Sequence, residues 1–196
     1  MIRALLKTGR VCDRVFAIRD LLMNLYVLQT DTGLACIDTG WNATRVRRGF
    51  ASLGLDMRDV HEVFLTHHHW DHARCAGLFT NATVFIGKPE SLVPEDWQQL
   101  RDGDTVRGVQ AVATPGHTPD SMSYLVDGRY LFAGDALRLR RDVAVPFYAC
   151  LNQDQAAVRR SLEKLAQLNG IECLLTGHSG LTTDVAGAFR LWRSAS

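Results

Sequence analysis

Thr66-His67-His68-His69-Trp70-Asp71-His72 places four imidazoles and a carboxylate in one short segment, directly after the apolar run Val63-Phe64-Leu65. Neutral imidazole and ionised carboxylate are the side chains that hold borderline divalent cations. At this density they are hard to explain as core or as solvated surface, so the segment reads as a place that holds metal. Its missing ligands should then stand where other buried strands end.

Four apolar runs (63–65, 109–113, 130–133 and 171–175) each end in a small or turn-forming residue followed by His or Asp. Continuous apolar runs imply strands buried on both faces. Polar residues just past such strands can converge at one sheet edge, the usual ligand position in layered α/β folds. A common edge would gather His67, His69, Asp71 and His72 with His117, Asp135 and His178, using all but His61 and His68 of the 7 histidines. His68 alternates with His67 and His69, so in extended backbone its ring points the other way, as a partner or a spacer. His61 precedes the strand and reads as a surface residue. In Thr114-Pro115-Gly116-His117 and Thr176-Gly177-His178 the glycines would let backbone and imidazole approach a small ion.

The elements that must position these residues alternate between strand and helix. Residues 11–18, 24–29 and 34–37 read as strands, the last two joined at the turn Asp31-Thr32-Gly33. A helix follows, with Asn42 as its cap, Val46, Phe50 and Leu53 on one face and Gly54 as its stop; Arg45, Arg47 and Arg48 fall on its solvated side. Residues 73–79 read as a short helix, 82–86 as a strand and 88–103 as a surface connection with short helical pieces. In the second half, which repeats the earlier theme, 121–126 and 130–133 form a hairpin around Asp127-Gly128. A loop follows Asp135. A helix then runs from about 152 to 168 with Val158, Leu162, Leu165 and Leu168 as its apolar stripe. A last strand spans 171–175, and 182–192 reads as a closing helix. With no linker or composition shift, residues 1–196 are expected to form a single domain.

The chain has 196 residues, 46% of them hydrophobic, enough for a sizeable core. With 22 basic against 21 acidic residues and a net charge of +1, no general field draws it onto nucleic acid or an anionic membrane. Met1 to Lys7 is too short in its apolar part for a signal peptide, and no run could span a bilayer, so the cytoplasm is the expected location. Cys12, Cys36, Cys75, Cys150 and Cys173 are scattered, odd in number and never spaced as C-x-x-C, which argues against a disulfide framework or a cysteine zinc knot.

Thr66-His67-x-His69-x-Asp71-His72, Thr114-Pro115-Gly116-His117-Thr118-Pro119, Gly134-Asp135 and Gly177-His178 together resemble the metallo-β-lactamase superfamily in order and rough spacing across nearly the whole chain. The resemblance implies an α/β fold, a four-layer αβ/βα sandwich of two mixed sheets with external helices and the site at one edge. It implies that His67, His69 and His117 hold a first metal, that Asp71, His72 and His178 hold a second, and that Asp135 bridges them. Asp38, in Cys36-Ile37-Asp38-Thr39-Gly40, matches the family's early Asp-x-Gly and would orient a ligating histidine; it also reads as a plain turn-former. Two positions depart from the pattern. Ala73-Arg74-Cys75 stands where the family often has glycine, and Asp120 replaces the usual glycine after Thr-Pro-Gly-His-Thr-Pro. Cys75 could face the metals or be a buried structural thiol.

This ligand mix suits two zinc ions per chain, with iron or manganese as alternatives. Two such ions can share a water, lower its pKa from about 15.7 toward neutrality and leave positive charge for an oxyanion. Asp71 is placed to orient that nucleophile or to pass a proton to the leaving group. The implied activity is hydrolysis of a small thioester, lactone or related ester. Glyoxalase II enzymes usually add a C-terminal helical domain, which this sequence does not show after His178, so a compact thioesterase or lactonase is expected. Persulfide dioxygenases of the same fold use one iron and only the first ligand set, and are the alternative. Phosphodiesterases or nucleases, and a binding protein without catalysis, rank behind. Arg138, Arg140 and Arg141 follow Asp135, with Phe147 and Tyr148 further on. They are either a solvated charge run or a grip on a carboxylate or phosphate of the substrate. The expected partner is a small molecule, anionic if these arginines engage it, and neither nucleic acid nor membrane.

Overall fold

The computed structural model describes residues 5–88 and 93–193. One sheet takes its strands in chain order: β1 (Gly9–Arg10), β2 (Val15–Arg19), β3 (Asn24–Thr30), β4 (Gly33–Ile37), β5 (Val60–Phe64), β6 (Thr83–Ile86) and β7 (Gln98–Gln99). β1 to β4 are antiparallel, and β4 to β7 run parallel. The second sheet contains β8 (Thr105–Val106), β9 (Val109–Ala113), β10 (Met122–Val126), β11 (Tyr130–Phe132), β14 (Cys173–Thr176) and β15 (Gly180–Thr182), in the order β15-β14-β11-β10-β9-β8. Here only β11 and β14 are parallel. A separate hairpin joins β12 (Leu137–Arg140) to β13 (Val143–Pro146).

Side-chain alternation along the strands produces the layers. Val15, Tyr26, Ile37 and Phe64 of the first sheet meet Ala111, Tyr124, Phe132 and Leu175 of the second in one buried cluster. The outer face of the first sheet packs on α1 (Ala43–Leu53) through Val46 and Phe50, and that of the second on α3 (Gln155–Ala166) through Val158, Leu162 and Leu165. Burying each such side chain is worth about 1.5–3 kcal/mol, so the helices are held by packing more than by their own propensity. Asn42 caps α1 through Arg45 N at 3.0 Å, and Gly54 ends it at φ 68°, as its sequence requires. Arg45, Arg47 and Arg48 are exposed on its outer side. This is the expected four-layer sandwich.

Several elements differ from their sequence expectation for local reasons. The run 11–18 is broken because Val11 N and Cys12 N both turn back to Val15 O. The expected helix 73–79 starts earlier and stops sooner, as α2 (Trp70–Ala73), because Cys75 N bonds Gly40 O; a 3-10 turn, Ala76–Leu78, follows. The segment after Asp135 is the β12–β13 hairpin. The closing helix is only α4 (Val185–Ala188), after which the Trp192 indole donates to Ala144 O at 2.7 Å. His61 lies inside β5, half-buried. In the 88–103 connection Pro89 falls outside the described residues, and β7 with turns occupies 93–103 in place of short helices. Among the described residues all five cysteines are free, and no helix is long and apolar enough to cross a membrane.

Two buried tyrosines tie the sheets together. Tyr124, from the second sheet, donates to Leu65 O just past β5, and Tyr26, from the first, donates to Thr176 O at the end of β14, each at 2.7 Å. Met122 N adds a bond to Thr66 O at 2.7 Å, and Asn24 N one to Gly177 O at 2.8 Å. We expect Tyr26→Phe and Tyr124→Phe each to lose about 1–3 kcal/mol in urea unfolding, because each strands a buried carbonyl. An unchanged midpoint would show that the stitch carries no stability.

Candidate metal centre

The parallel pairs β4/β5 and β11/β14 deliver their C-terminal ends to one edge of the sandwich, and β9, two antiparallel steps from β11, points the same way. All seven sequence-designated residues meet there. Ligand atoms of His67, His69 and His117 lie within 4.8 Å of one another, as do those of Asp71, His72 and His178, and those of His67, His72 and Asp135. His69 Nδ1 is 3.0 Å from His117 Nε2, and His72 Nε2 is 3.2 Å from His178 Nε2. Asp135 Oδ2 lies between the sets, 3.6 Å from His117 Nε2, 3.7 Å from His72 Nε2 and 3.4 Å from His178 Nε2. Asp71 Oδ2 stands 3.6 Å from His178 Nε2 and 3.8 Å from His72 Nε2.

These spacings fit cations. Ligand atoms bonded at 2.0–2.1 Å in a tetrahedron stand about 3.3 Å apart, inside the observed span. Two further signs agree. His67 Nε2 and Asp135 Oδ1 are buried without any hydrogen-bond partner, which costs free energy unless something else satisfies them. A Cβ on Gly177 would come 3.0 Å from His72 Cε1 and 3.1 Å from Asp135 Oδ1, so the backbone hugs the cluster where a side chain would crowd it. Gly116 is different. Its φ is +135°, and a Cβ there would come 2.4 Å from Val158 N, so this glycine makes room for α3 and not for an ion.

The outward nitrogen of most rings is fixed by a defined partner, which sets the tautomer and aims the other nitrogen at the cluster. His72 Nδ1 lies 2.8 Å from Asp38 Oδ2, and His178 Nδ1 donates to Leu22 O at 2.7 Å. His117 Nδ1 meets Asn152 Oδ1 at 3.2 Å, and His67 Nδ1 meets Thr66 Oγ1 at 3.1 Å. Thr66 also donates its hydroxyl and its amide to Asp38. Asp38 adopts φ 61°, a left-handed conformation an aspartate tolerates better than most residues, and its carboxylate meets Thr66, just past β5, and His72. It is thus a partner of His72 as well as a turn residue.

Electrostatics differ between the two sets. Burial pushes His67 well below the usual histidine range, and the His72 ring adds to the effect. Burial likewise lowers His69 and His117. Lowering favours the neutral ring, the form in which imidazole can bind a metal. At His72 burial also opposes charge, but Asp38 and Asp135 outweigh it and hold the ring well above its ordinary value. At His178 burial is outweighed by Asp135. Burial would raise Asp135, yet His178 and His72 keep it well below the carboxylate range.

His68 turns away from the cluster as alternation requires. Its Nδ1 meets Asp120 Oδ2 at 2.8 Å, so the aspartate that departs from the family pattern ties the His67–His69 segment to the loop after His117. Cys75 is buried in the cluster between the first sheet and α1, a structural thiol pushed up to about 11 by burial. The three arginines separate. Arg140 and Arg141 are exposed at the hairpin tip, whereas Arg138 is half-buried at its base with its guanidinium 4.5 Å above the Tyr148 ring. Its Nε is buried and unpartnered. Phe147 packs on His117 at 5.1 Å and on His178 at 5.3 Å, forming an apolar floor between ligands of both sets. Sequence reasoning missed Thr66, Asn152 and the Leu22 carbonyl. Thr66 carried a signal, since it opens the motif; Asn152 read only as a helix start, and a backbone carbonyl leaves no trace in sequence.

A family model described as the metallo-beta-lactamase superfamily matches residues 19–88 and 84–178. A probable metallo-hydrolase of Methanocaldococcus jannaschii, MJ0296, is 30% identical over 137 residues, covering 68% of this chain and 64% of that protein. A hydroxyacylglutathione hydrolase of Hahella chejuensis is 30% identical over 163 residues, covering 79% of this chain and 60% of its own length. The chain therefore spans less than two thirds of either relative. The crystal structure of a metallo-beta-lactamase family protein from Thermus thermophilus, TTHA1429, superposes with a TM-score of 0.71 at 26% identity, covering 91% of this chain and 78% of that one.

Asp38→Ala should weaken metal binding at the His72 set about 10–100-fold, as loss of such a partner does elsewhere. His69→Ala and Asp135→Ala should each lower metal content after dialysis. Chelator competition with elemental analysis reads both. Full metal content in His69→Ala and Asp135→Ala would overturn the assignment.

Proposed function

The chain belongs to the metallo-beta-lactamase superfamily, and we propose that it is a metal-dependent hydrolase of a small ester-type bond, a thioester or lactone foremost. The observation that carries this reading is the place of Asp135, whose Oδ2 stands 3.4–3.7 Å from imidazole nitrogens of both ligand sets. Zinc ions held by His67, His69 and His117 and by Asp71, His72 and His178, with Asp135 between them, would polarise a carbonyl and bring a water's pKa from about 15.7 toward neutrality.

The chain's own residues supply the rest. Asp71 is the most exposed carboxylate of the cluster, its side chain 28% accessible against 4% for Asp135, so it can meet both substrate and solvent. It orients the attacking water, takes up the proton that water loses on adding to the carbonyl, and passes that proton to the leaving group. Asp38, Thr66 and Asn152 hold ligand rings in fixed orientations, so little reorganisation accompanies turnover. Phe147 shields the base of the cluster from water, which strengthens every charge interaction above it. Arg138, half-buried, stacked on Tyr148 and with an unpartnered Nε, is the arginine suited to an anionic group on the substrate. Likeness to a protein named hydroxyacylglutathione hydrolase supports hydrolysis of an acyl compound.

Metal quantification coupled to thioester, lactone, phosphodiester and persulfide substrates tests this. Hydrolysis of the first two, abolished by chelation and restored by zinc, is expected. One iron per chain with oxygen uptake on the persulfide would replace the hydrolase by an oxygenase. Arg138→Gln should raise KM for anionic substrates about 5–20-fold with little change in kcat; an unchanged KM removes Arg138 from the binding site.

A further inference from the structure

Large apolar side chains in contact with water are ordinary when scattered and informative when they converge. Among the described residues the exposed ones are Leu22 (71%), Trp70 (54%), Tyr148 (39%), Leu151 (54%) and Leu191 (68%). All but Leu191 belong to segments that carry or support residues of the metal cluster. Trp70 lies between His69 and Asp71. Leu22 offers its carbonyl to His178. Tyr148 follows Phe147, the floor of the cluster, and Leu151 precedes Asn152, the partner of His117.

They form two walls, each fastened to a ligand histidine. On one side the buried carboxylate of Asp20 accepts from Trp41 N at 2.6 Å and Asn42 N at 2.9 Å, tying the loop of Leu22 to that of Trp41. The Trp41 ring meets the Trp70 ring edge-on at 4.1 Å. On the other side Asn152 Nδ2 donates to Phe147 O at 3.1 Å, while its Oδ1 holds His117. Phe147 meets Tyr148 edge-on, and Tyr148 lies under Arg138. The loops that carry these side chains are held by partly buried hydrogen bonds, while the side chains themselves stay exposed, so a ligand that covered them would gain their apolar area.

We propose that these walls are an acyl-binding rim, and that the substrate is an ester or thioester of an apolar carboxylic acid. The acyl chain lies against Leu22 and Trp70 on one side and Tyr148 and Leu151 on the other, with its carbonyl over the cluster. The identification of the ligand as an ester rests on the hydrolase reading; the apolar preference rests on the walls alone.

Binding of straight-chain carboxylates from acetate to decanoate to the zinc-loaded protein, followed by tryptophan fluorescence, tests the rim without turnover. Kd should fall about two- to fourfold for each methylene until the walls are covered. Leu22→Ser and Tyr148→Ser, on exposed loop positions that folding tolerates, should flatten that slope, as should Trp70→Ala. A wild-type Kd independent of chain length, or a slope the variants leave intact, overturns the proposal. So does concentration-dependent self-association of the wild type that Leu22→Ser abolishes, because the rim would then be a face for a second copy. A chain-length series of p-nitrophenyl esters separates the two readings. Chain-dependent carboxylate binding without ester cleavage retains the rim and defeats the hydrolase. Cleavage with equal KM for acetyl and octanoyl esters does the reverse.

Discussion

Reciprocal hydrogen bonds from Tyr26 and Tyr124 across the inter-sheet core are the interaction on which the site depends. Each phenol crosses from one sheet to the carbonyl at or just past the end of a ligand-bearing strand of the other. Both carbonyls lie beneath a polar cluster, and the phenols give them a hydrogen bond from within the protein. The tyrosines satisfy them from below, so the edges of both sheets remain level and the loops above begin from fixed points. His67 and His178 follow those carbonyls within two residues. Ligand spacing is therefore set by the core as much as by the loops.

The two halves use this device in the same way. In each, a hairpin (β3–β4, β10–β11) leads through an acidic turn (Asp38, Asp135) and a helix (α1, α3) to a parallel strand (β5, β14) with a threonine at or just past its end and a histidine beyond it. The acids have diverged. Asp38 is buried against His72 Nδ1 and Thr66, while Asp135 faces the opposite nitrogen of the same ring and reaches both ligand sets. One ring is thus held between two carboxylates, which raises His72 where burial lowers His67, equally enclosed.

The convergence of the His and Asp cluster was legible in sequence because its members follow apolar strand ends, a pattern that survives without knowledge of the turns. Gly54 and Asn42 marked α1 for the same reason, since caps obey local backbone geometry. What was not legible depends on pairing. The β12–β13 hairpin carries the alternation Leu137-Arg138-Leu139-Arg140, but its turn is Arg141-Asp142, both at positive φ, without the glycine that normally announces such a turn. The role of Asp120 required knowing that His68 would be within reach. Gly116 was read with the wrong neighbour, because whether an ion or a helix occupies the space beside a glycine is decided by tertiary packing.

The partner of Tyr26 lies 150 residues later in the chain, and that of Tyr124 lies 59 residues earlier. As the polypeptide emerges from the ribosome, Tyr124 can find Leu65 as soon as β10 folds, but Tyr26 must wait for β14. Until then the first sheet holds an unpaired phenol on its inner face and an open polar seam beside His67. β14 thus closes the phenol's hydrogen bond and, through His178 just beyond it, supplies the last histidine of the cluster. Translation order makes the appearance of the complete cluster a report that the whole sandwich has closed.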